Sequence, residues 1–318
     1  MNGFSMGRNR LGLTVVTLAV AACGGPAAPS TSANASSASS PSVGASTELV
    51  ANVDVAGRTM HLVCVGPTDT GEPTILLEAG GGGDYLSWAD ILEEMQSQHR
   101  LCAYDRAGLG QSGPPTEASR TAADQAGDLR ALLDGADVSG PFVLGAHSDG
   151  ATVATLFTQA YPDDVVGLLF VDPRGPHVTA EWLDAIPAPE PDEPASITEF
   201  RDGLETFETD PSLNPEHLHL EASFAEAAAA IDAPGPLFGD RPTGVLSAET
   251  TPGPQLGLPP ELATTIDKIW AAGQQELADE STAGSREMVP GAGHGIQVDR
   301  PQAVIDALQR ILDDLAIS

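Results

Sequence analysis

Residues 141–150 read Pro-Phe-Val-Leu-Gly-Ala-His-Ser-Asp-Gly, and the other segments of the chain fall into place around them. The apolar run Phe142, Val143 and Leu144 predicts a short buried strand. Small residues then surround Ser148, and 151–161 carries good helix formers as far as Pro162. Strand, tight turn and helix with a serine at the tip is the context of a nucleophile elbow. Such a turn strains the serine backbone and requires small residues two before and two after it. Ala146 and Gly150 meet that requirement, giving Ala-x-Ser-x-Gly. Five residues alone also suit Ser148 as an ordinary helix N-cap, so the flanking stretches have to decide.

Working outward, 318 residues allow one large domain or two ordinary ones. The first 47 do not look like core. Arg8 and Arg10 precede an apolar run at 11–22, which has the charged start and short hydrophobic stretch of an export signal. It is too short to span a bilayer. The run closes with Val-Ala-Ala-Cys at 20–23, which resembles the lipobox of bacterial lipoproteins. The expectation is a signal peptide at 1–22, lipidation of Cys23, and export to the outer face of the cell membrane with the lipid as anchor. An ordinary signal peptide with an incidental cysteine is the alternative. Residues 24–47 are rich in Ser, Ala, Pro and Gly and almost free of bulky apolar side chains. Such a stretch cannot bury enough surface to fold and reads as a tether.

The balance of 45 acidic against 14 basic residues gives a formal charge of −31. That excess argues against nucleic acid and anionic membrane surfaces as partners. Beside Cys23, the cysteines Cys64 and Cys102 form an even pair in a chain expected to leave the cytoplasm, where disulfides persist. No metal is expected. His217 and His219, spaced i, i+2, would diverge on a helix, and the other histidines show no ligand spacing.

From residue 48 strand-like and helical runs alternate, which predicts an α/β fold with a largely parallel sheet. Strands are expected at 49–55, 56–65, 74–77 and 100–104 before the one at 142–144. The run at 74–77 leads into Glu-Ala-Gly-Gly-Gly-Gly-Asp at 78–84, a loop placed between a strand and a helix. The run at 100–104 leads into Asp-Arg-Ala-Gly-Leu-Gly-Gln-Ser at 105–112. Further on come Val-Asp-Pro at 171–173, closing a buried strand, and Pro-Gly-Ala-Gly-His-Gly at 290–295. Between them, at about 174–240, helical patches at 197–207 and 218–231 interrupt the strand pattern.

The joint order of these motifs resembles the α/β-hydrolase superfamily over about residues 48–318. The resemblance implies a mostly parallel central sheet flanked by helices, an inserted helical cap at about 174–240, and a serine hydrolase needing no cofactor. Ser148 would be the nucleophile and His294 its base, with His147, adjacent to the nucleophile, structural. The second and fourth strands are neighbours in this family, which implies a Cys64–Cys102 disulfide. The oxyanion hole would use the backbone N–H groups of Asp149 and Gly81, with the Asp149 carboxylate turned away. For the triad acid two positions are open, Asp172 at the end of the sixth strand and Glu249 after the seventh, and Asp172 is favoured. The expected substrate is a small ester, lactone or amide. A silent hydrolase-fold protein serving as a ligand-binding module is the competing reading.

Overall fold

The computed structural model describes residues 47–68 and 70–317. The expected signal at 1–22, Cys23 and nearly all of the tether lie outside these residues. Eight strands make one sheet: β1 (Leu49–Val55), β2 (Arg58–Val65), β3 (Thr74–Glu78), β4 (Leu101–Asp105), β5 (Phe142–His147), β6 (Val165–Val171), β7 (Thr243–Ala248) and β8 (Gly284–Val289). Their spatial order is β1-β2-β4-β3-β5-β6-β7-β8. β2 is antiparallel to both β1 and β4, and all the remaining pairs are parallel.

The helices are α1 (Ala89–Met95), α2 (Ala122–Gly135), α3 (Gly150–Ala160), α4 (Val178–Ala185), α5 (Ala195–Phe207), α6 (Leu220–Ile231), α7 (Pro252–Gln255), α8 (Pro260–Asp279), α9 (Ile296–Asp299) and α10 (Pro301–Ile317). Successive strand residues point to opposite faces, so β3 sends Leu76 into one core and Ile75 and Leu77 into the other. α2 and α3 cover the first face; α1 and α10 cover the second. Burial on both sides is why the inner strands are continuously apolar rather than alternating. A third cluster joins Val178 and Trp182 of α4 and Ile197 and Leu204 of α5 to Leu262, Ile266 and Trp270 of α8. α6 instead lies against α2 and α3.

Several strand ends shift by one to three residues from the sequence reading, and the start of the strand read at 56–65 has a definite cause. Ala56 (φ 52°) and Gly57 (φ 82°) form the tight turn between β1 and β2, so the strand starts at Arg58. Residues in the left-handed region close a two-residue hairpin without splaying its strands. Across β2 and β4, Cys64 and Cys102 stand opposite each other and are joined by a disulfide. The parallel arrangement carries the C-terminal ends of β3, β5, β6, β7 and β8 to one edge. In open sheets that edge is where ligand crevices form.

Candidate active site

Ser148 follows β5 with φ of 52°, inside the left-handed region. A non-glycine residue there costs on the order of 1–3 kcal/mol and persists only where its surroundings over-determine it. They do so here. The Ser148 N–H donates to Val171 O at 3.1 Å, and its carbonyl accepts from the N–H groups of Ala151 at 3.1 Å and Arg174 at 3.3 Å. The requirement for Gly150 is equally concrete, since a Cβ there would stand 2.5 Å from the Ala79 carbonyl oxygen.

His294 is carried on the loop after β8 and brings Nε2 to 2.9 Å from Ser148 Oγ. Its Nδ1 lies 2.7 Å from Asp172 Oδ2. The other oxygen, Asp172 Oδ1, accepts from Gln274 Nε2 at 2.7 Å, from Ala248 N–H at 3.0 Å and from Trp270 Nε1 at 3.4 Å. Burial alone would raise the Asp172 pKa, but His294 and these hydrogen bonds outweigh it and hold the carboxyl below its usual range. An ionised Asp172 accepts a proton-bearing Nδ1, which leaves the Nε2 lone pair facing the serine hydroxyl. Hydroxyl, imidazole and carboxylate in this line are competent to make serine a nucleophile.

Glu249 does not reach His294. Its carboxylate accepts from the Gly291 N–H at 2.7 Å and sits on an exposed turn. His147 holds the His294 loop from the side, with Nε2 donating to the His294 carbonyl at 2.9 Å and the ring centroids 4.8 Å apart. Burial, and then the neighbouring His294, push its pKa down to about 4. A neutral ring with Nε2 already committed is not placed to serve as base for Ser148.

The glycine loop after β3 lies directly over the elbow. A Cβ on Gly80 would be 2.6 Å from His147 Nδ1 and 3.1 Å from Ser148 Cβ, and one on Gly81 would be 2.8 Å from Asp149 Oδ2. Among the described residues the backbone N–H groups of Gly81 and Asp149 donate to no protein acceptor. The Asp149 carboxylate, expected to turn away, instead rests against Gly81, with Oδ1 3.7 Å from Arg174 Nη1. Arg174 donates to Glu208 at 2.6 Å and lies 4.4 Å over the Phe224 ring. Burial opposes its charge, while Glu208 and Asp149 sustain it. A negative side chain beside the loop is thus tolerated because a buried cation compensates it.

Sequence reading missed Arg174 and Glu208, and with them a second cluster in which Arg106 joins Glu78 to Glu216. The only signal for Arg174 was its place two residues after Asp172. Nothing in the sequence pointed to Glu208 or Glu216. No metal-ligating group of three His, Cys, Asp or Glu occurs among the described residues. His217 and His219 precede α6 rather than lie on it. His217 Nδ1 meets the Glu117 carbonyl at 2.7 Å, and His219 Nδ1 caps the helix by accepting the Ala222 N–H.

Comparison with known proteins is consistent with this architecture. The probable transporter efuK of Hormonema carpetanum is 26% identical over 297 residues, covering 82% of this chain and 42% of that protein. Mouse (Mus musculus) epoxide hydrolase 4 is 29% identical over 149 residues, covering 46% of this chain and 40% of that protein. The chain thus spans about two fifths of the length of these curated relatives. The crystal structure of Cfl2 from Burkholderia cenocepacia superposes with a TM-score of 0.57 at 22% identity, covering 83% of this chain and 95% of Cfl2. Residues 75–307 match the model of the alpha/beta hydrolase family, and with the eight-stranded sheet and its helical layers this shows that the chain belongs to that family.

Proposed function

We propose that this protein is a serine hydrolase that cleaves a small ester, lactone or amide through an acyl-enzyme on Ser148, with carboxylic ester hydrolysis as its principal activity. The observation that carries the reading is the unbroken line from Ser148 Oγ to His294 Nε2 at 2.9 Å and from His294 Nδ1 to Asp172 at 2.7 Å. In the first step Oγ attacks the carbonyl carbon while Nε2 takes the hydroxyl proton, and Asp172 stabilises the imidazolium. The N–H groups of Gly81 and Asp149 receive the oxyanion; one such donor contributes roughly 3–4 kcal/mol to the barrier reduction. Collapse expels the alcohol or amine, which takes the proton from His294. Water then repeats the sequence against the acyl-enzyme, releasing the acid and restoring Ser148.

The lipobox-like 20–23 and the Ser/Ala/Pro/Gly-rich stretch after it support export, lipid attachment at Cys23 and action at the extracytoplasmic face of the cell membrane. The test is hydrolysis of a panel of p-nitrophenyl and aliphatic esters of graded acyl length, with Ser148→Ala as the blank. Turnover of short-chain esters by the wild type and none by the variant is the expected result. A ligand-binding module would give no turnover of any member beyond the blank.

A further inference from the structure

Arg106 belongs to the Asp-Arg-x-Gly-x-Gly stretch after β4 and is buried with its two carboxylate partners. Its guanidinium is saturated in an unusual way. Nη1 donates to Glu78 and to the Ala79 carbonyl at 2.5 Å, and Nη2 donates to the Gly80 carbonyl at 2.8 Å. Nε donates to Glu216 Oε1 at 2.6 Å, and Gln125 Nε2 donates to the same oxygen at 2.9 Å. Glu78 also receives the Tyr104 hydroxyl. Glu216 lies in the segment inserted between β6 and β7, so one side chain ties that segment to the glycine loop.

The carbonyls of Ala79 and Gly80 thus converge on one cation. The peptide bonds here are trans, since the only cis bond among the described residues is Gly140–Pro141. In a planar trans peptide the N–H points opposite to the carbonyl of the preceding residue. Holding the Ala79 and Gly80 carbonyls on the guanidinium therefore turns the N–H groups of Gly80 and Gly81 away from it. Gly80 itself abuts the elbow, since a Cβ there would stand 3.1 Å from Ser148 Cβ. Consecutive N–H groups facing one side make an anion-binding concavity. The Gly80 carbonyl has a second donor, the Gly83 N–H at 3.1 Å, whereas among the described residues no other hydrogen bond holds the Ala79 carbonyl.

We propose that Arg106, gripped by Glu78 and by Glu216, is a positioning residue that aims the oxyanion donors of the glycine loop at Ser148. This deepens the serine-hydrolase reading and rests on it. Rotation of the Gly80–Gly81 peptide plane would lose the Gly81 donor without disturbing His294 or Asp172, and the Ala79–Gly80 plane fixes the approach of that peptide to the elbow. Among the described residues the Arg106 guanidinium is the only group that holds both planes. Lysine keeps the charge at this position, but a single ammonium cannot span Glu78, Glu216 and both carbonyls.

The experiment compares the wild type, Arg106→Lys and Glu216→Ala on p-nitrophenyl acetate and its thionoester, O-4-nitrophenyl thionoacetate. Thermal melts give the folded fraction. The expected result for Arg106→Lys is a fall in kcat of about 10- to 100-fold per folded molecule, as for partial loss of an oxyanion donor. KM and the midpoint of the pH profile stay in place, and the preference for the oxygen over the sulfur ester narrows, because sulfur uses those donors poorly. Glu216→Ala should show the same pattern at smaller amplitude, and it supplies the answer if Arg106→Lys does not fold. A kcat within about twofold of wild type in the folded variant, or a loss accompanied by a displaced pH profile and an unchanged oxygen-to-sulfur preference, overturns the role of Arg106. Failure of the underlying reading shows separately as a wild type that no fluorophosphonate labels, and it overturns both.

Discussion

Asp172→Asn is the substitution for which the structure dictates the sharpest outcome. Asp172 Oδ1 is fixed by Ala248, Gln274 and Trp270, all of them donors. An asparagine keeps its single oxygen on those donors, so its amide NH₂ must face His294 Nδ1. That nitrogen then has to accept, which moves the imidazole proton to Nε2, and Nε2 can no longer take the proton of Ser148. The wrong tautomer at such a site costs about 10⁴-fold in kcat, or roughly 5 kcal/mol of transition-state stabilisation. KM should barely move, and the melt should shift little because the three donors stay satisfied. Glu249→Gln preserves an acceptor for the Gly291 N–H and should leave kcat within about threefold of wild type. The assay is steady-state hydrolysis of p-nitrophenyl esters by purified, folded variants. A folded Asp172→Asn within tenfold of wild type, or a large loss confined to Glu249→Gln, would refute the reasoning.

Three further outcomes follow from other parts of the molecule. His147 has a pKa of about 4, below its ordinary 6.5, so the unfolded chain binds more protons between those values and stability must fall as pH drops from 6.5 toward 4. The loss is at most about 3 kcal/mol, less what solvent reaching the half-buried ring returns. His147→Gln should flatten that limb of the denaturation profile, and an unchanged limb would contradict the assignment. Removing the Cys64–Cys102 bridge, which closes a separation of 38 residues, should lower stability by about 4 kcal/mol on the loop-entropy account. Chemical denaturation of the double alanine variant measures this, and two alkylatable thiols at Cys64 and Cys102 in protein isolated without reductant would deny the bridge. Asp128 accepts from both Arg58 and Arg120, whose side chains are only 3% and 2% exposed. Asp128→Ala should destabilise by about 3–5 kcal/mol by leaving two buried cations with only the half-exposed Glu117 as a shared partner, and a denaturation midpoint close to wild type would show that Glu117 and water suffice to hold them.

Much of this architecture was legible because its signals are local. Strands between two helical layers are continuously apolar, and each functional loop begins where such a run stops, at Glu78, Asp105, Ser148, Asp172 and the glycines around His294. The turn at Ala56 and Gly57 was less legible because alanine is an uncommon occupant of the left-handed region. The sequence favoured Asp172 over Glu249 without a decisive signal, because both follow the ends of adjacent parallel strands, with Val171 opposite Leu246. What separates them is that Asp172 turns inward with φ of 41° toward donors from α8. Arg106 was visible only as part of a motif. Its partners Glu78 and Glu216 lie 28 and 110 residues away in the chain, and no periodicity links such positions. The orientation of Asp149 failed for the same reason, since the cation that compensates it, Arg174, enters from another strand end.

The measurement that bears most directly on the central claim is intact-mass and peptide analysis after brief exposure to a fluorophosphonate. An unactivated serine hydroxyl does not react with such a reagent at an appreciable rate, whereas one facing His294 Nε2 at 2.9 Å has a base to take its proton. The account predicts a single adduct on the peptide containing Ser148, no adduct in Ser148→Ala, and greatly slowed labelling in His294→Ala, with all three proteins folded. A wild type that stays unmodified, or a Ser148→Ala variant that is still labelled and still hydrolyses esters, would contradict it.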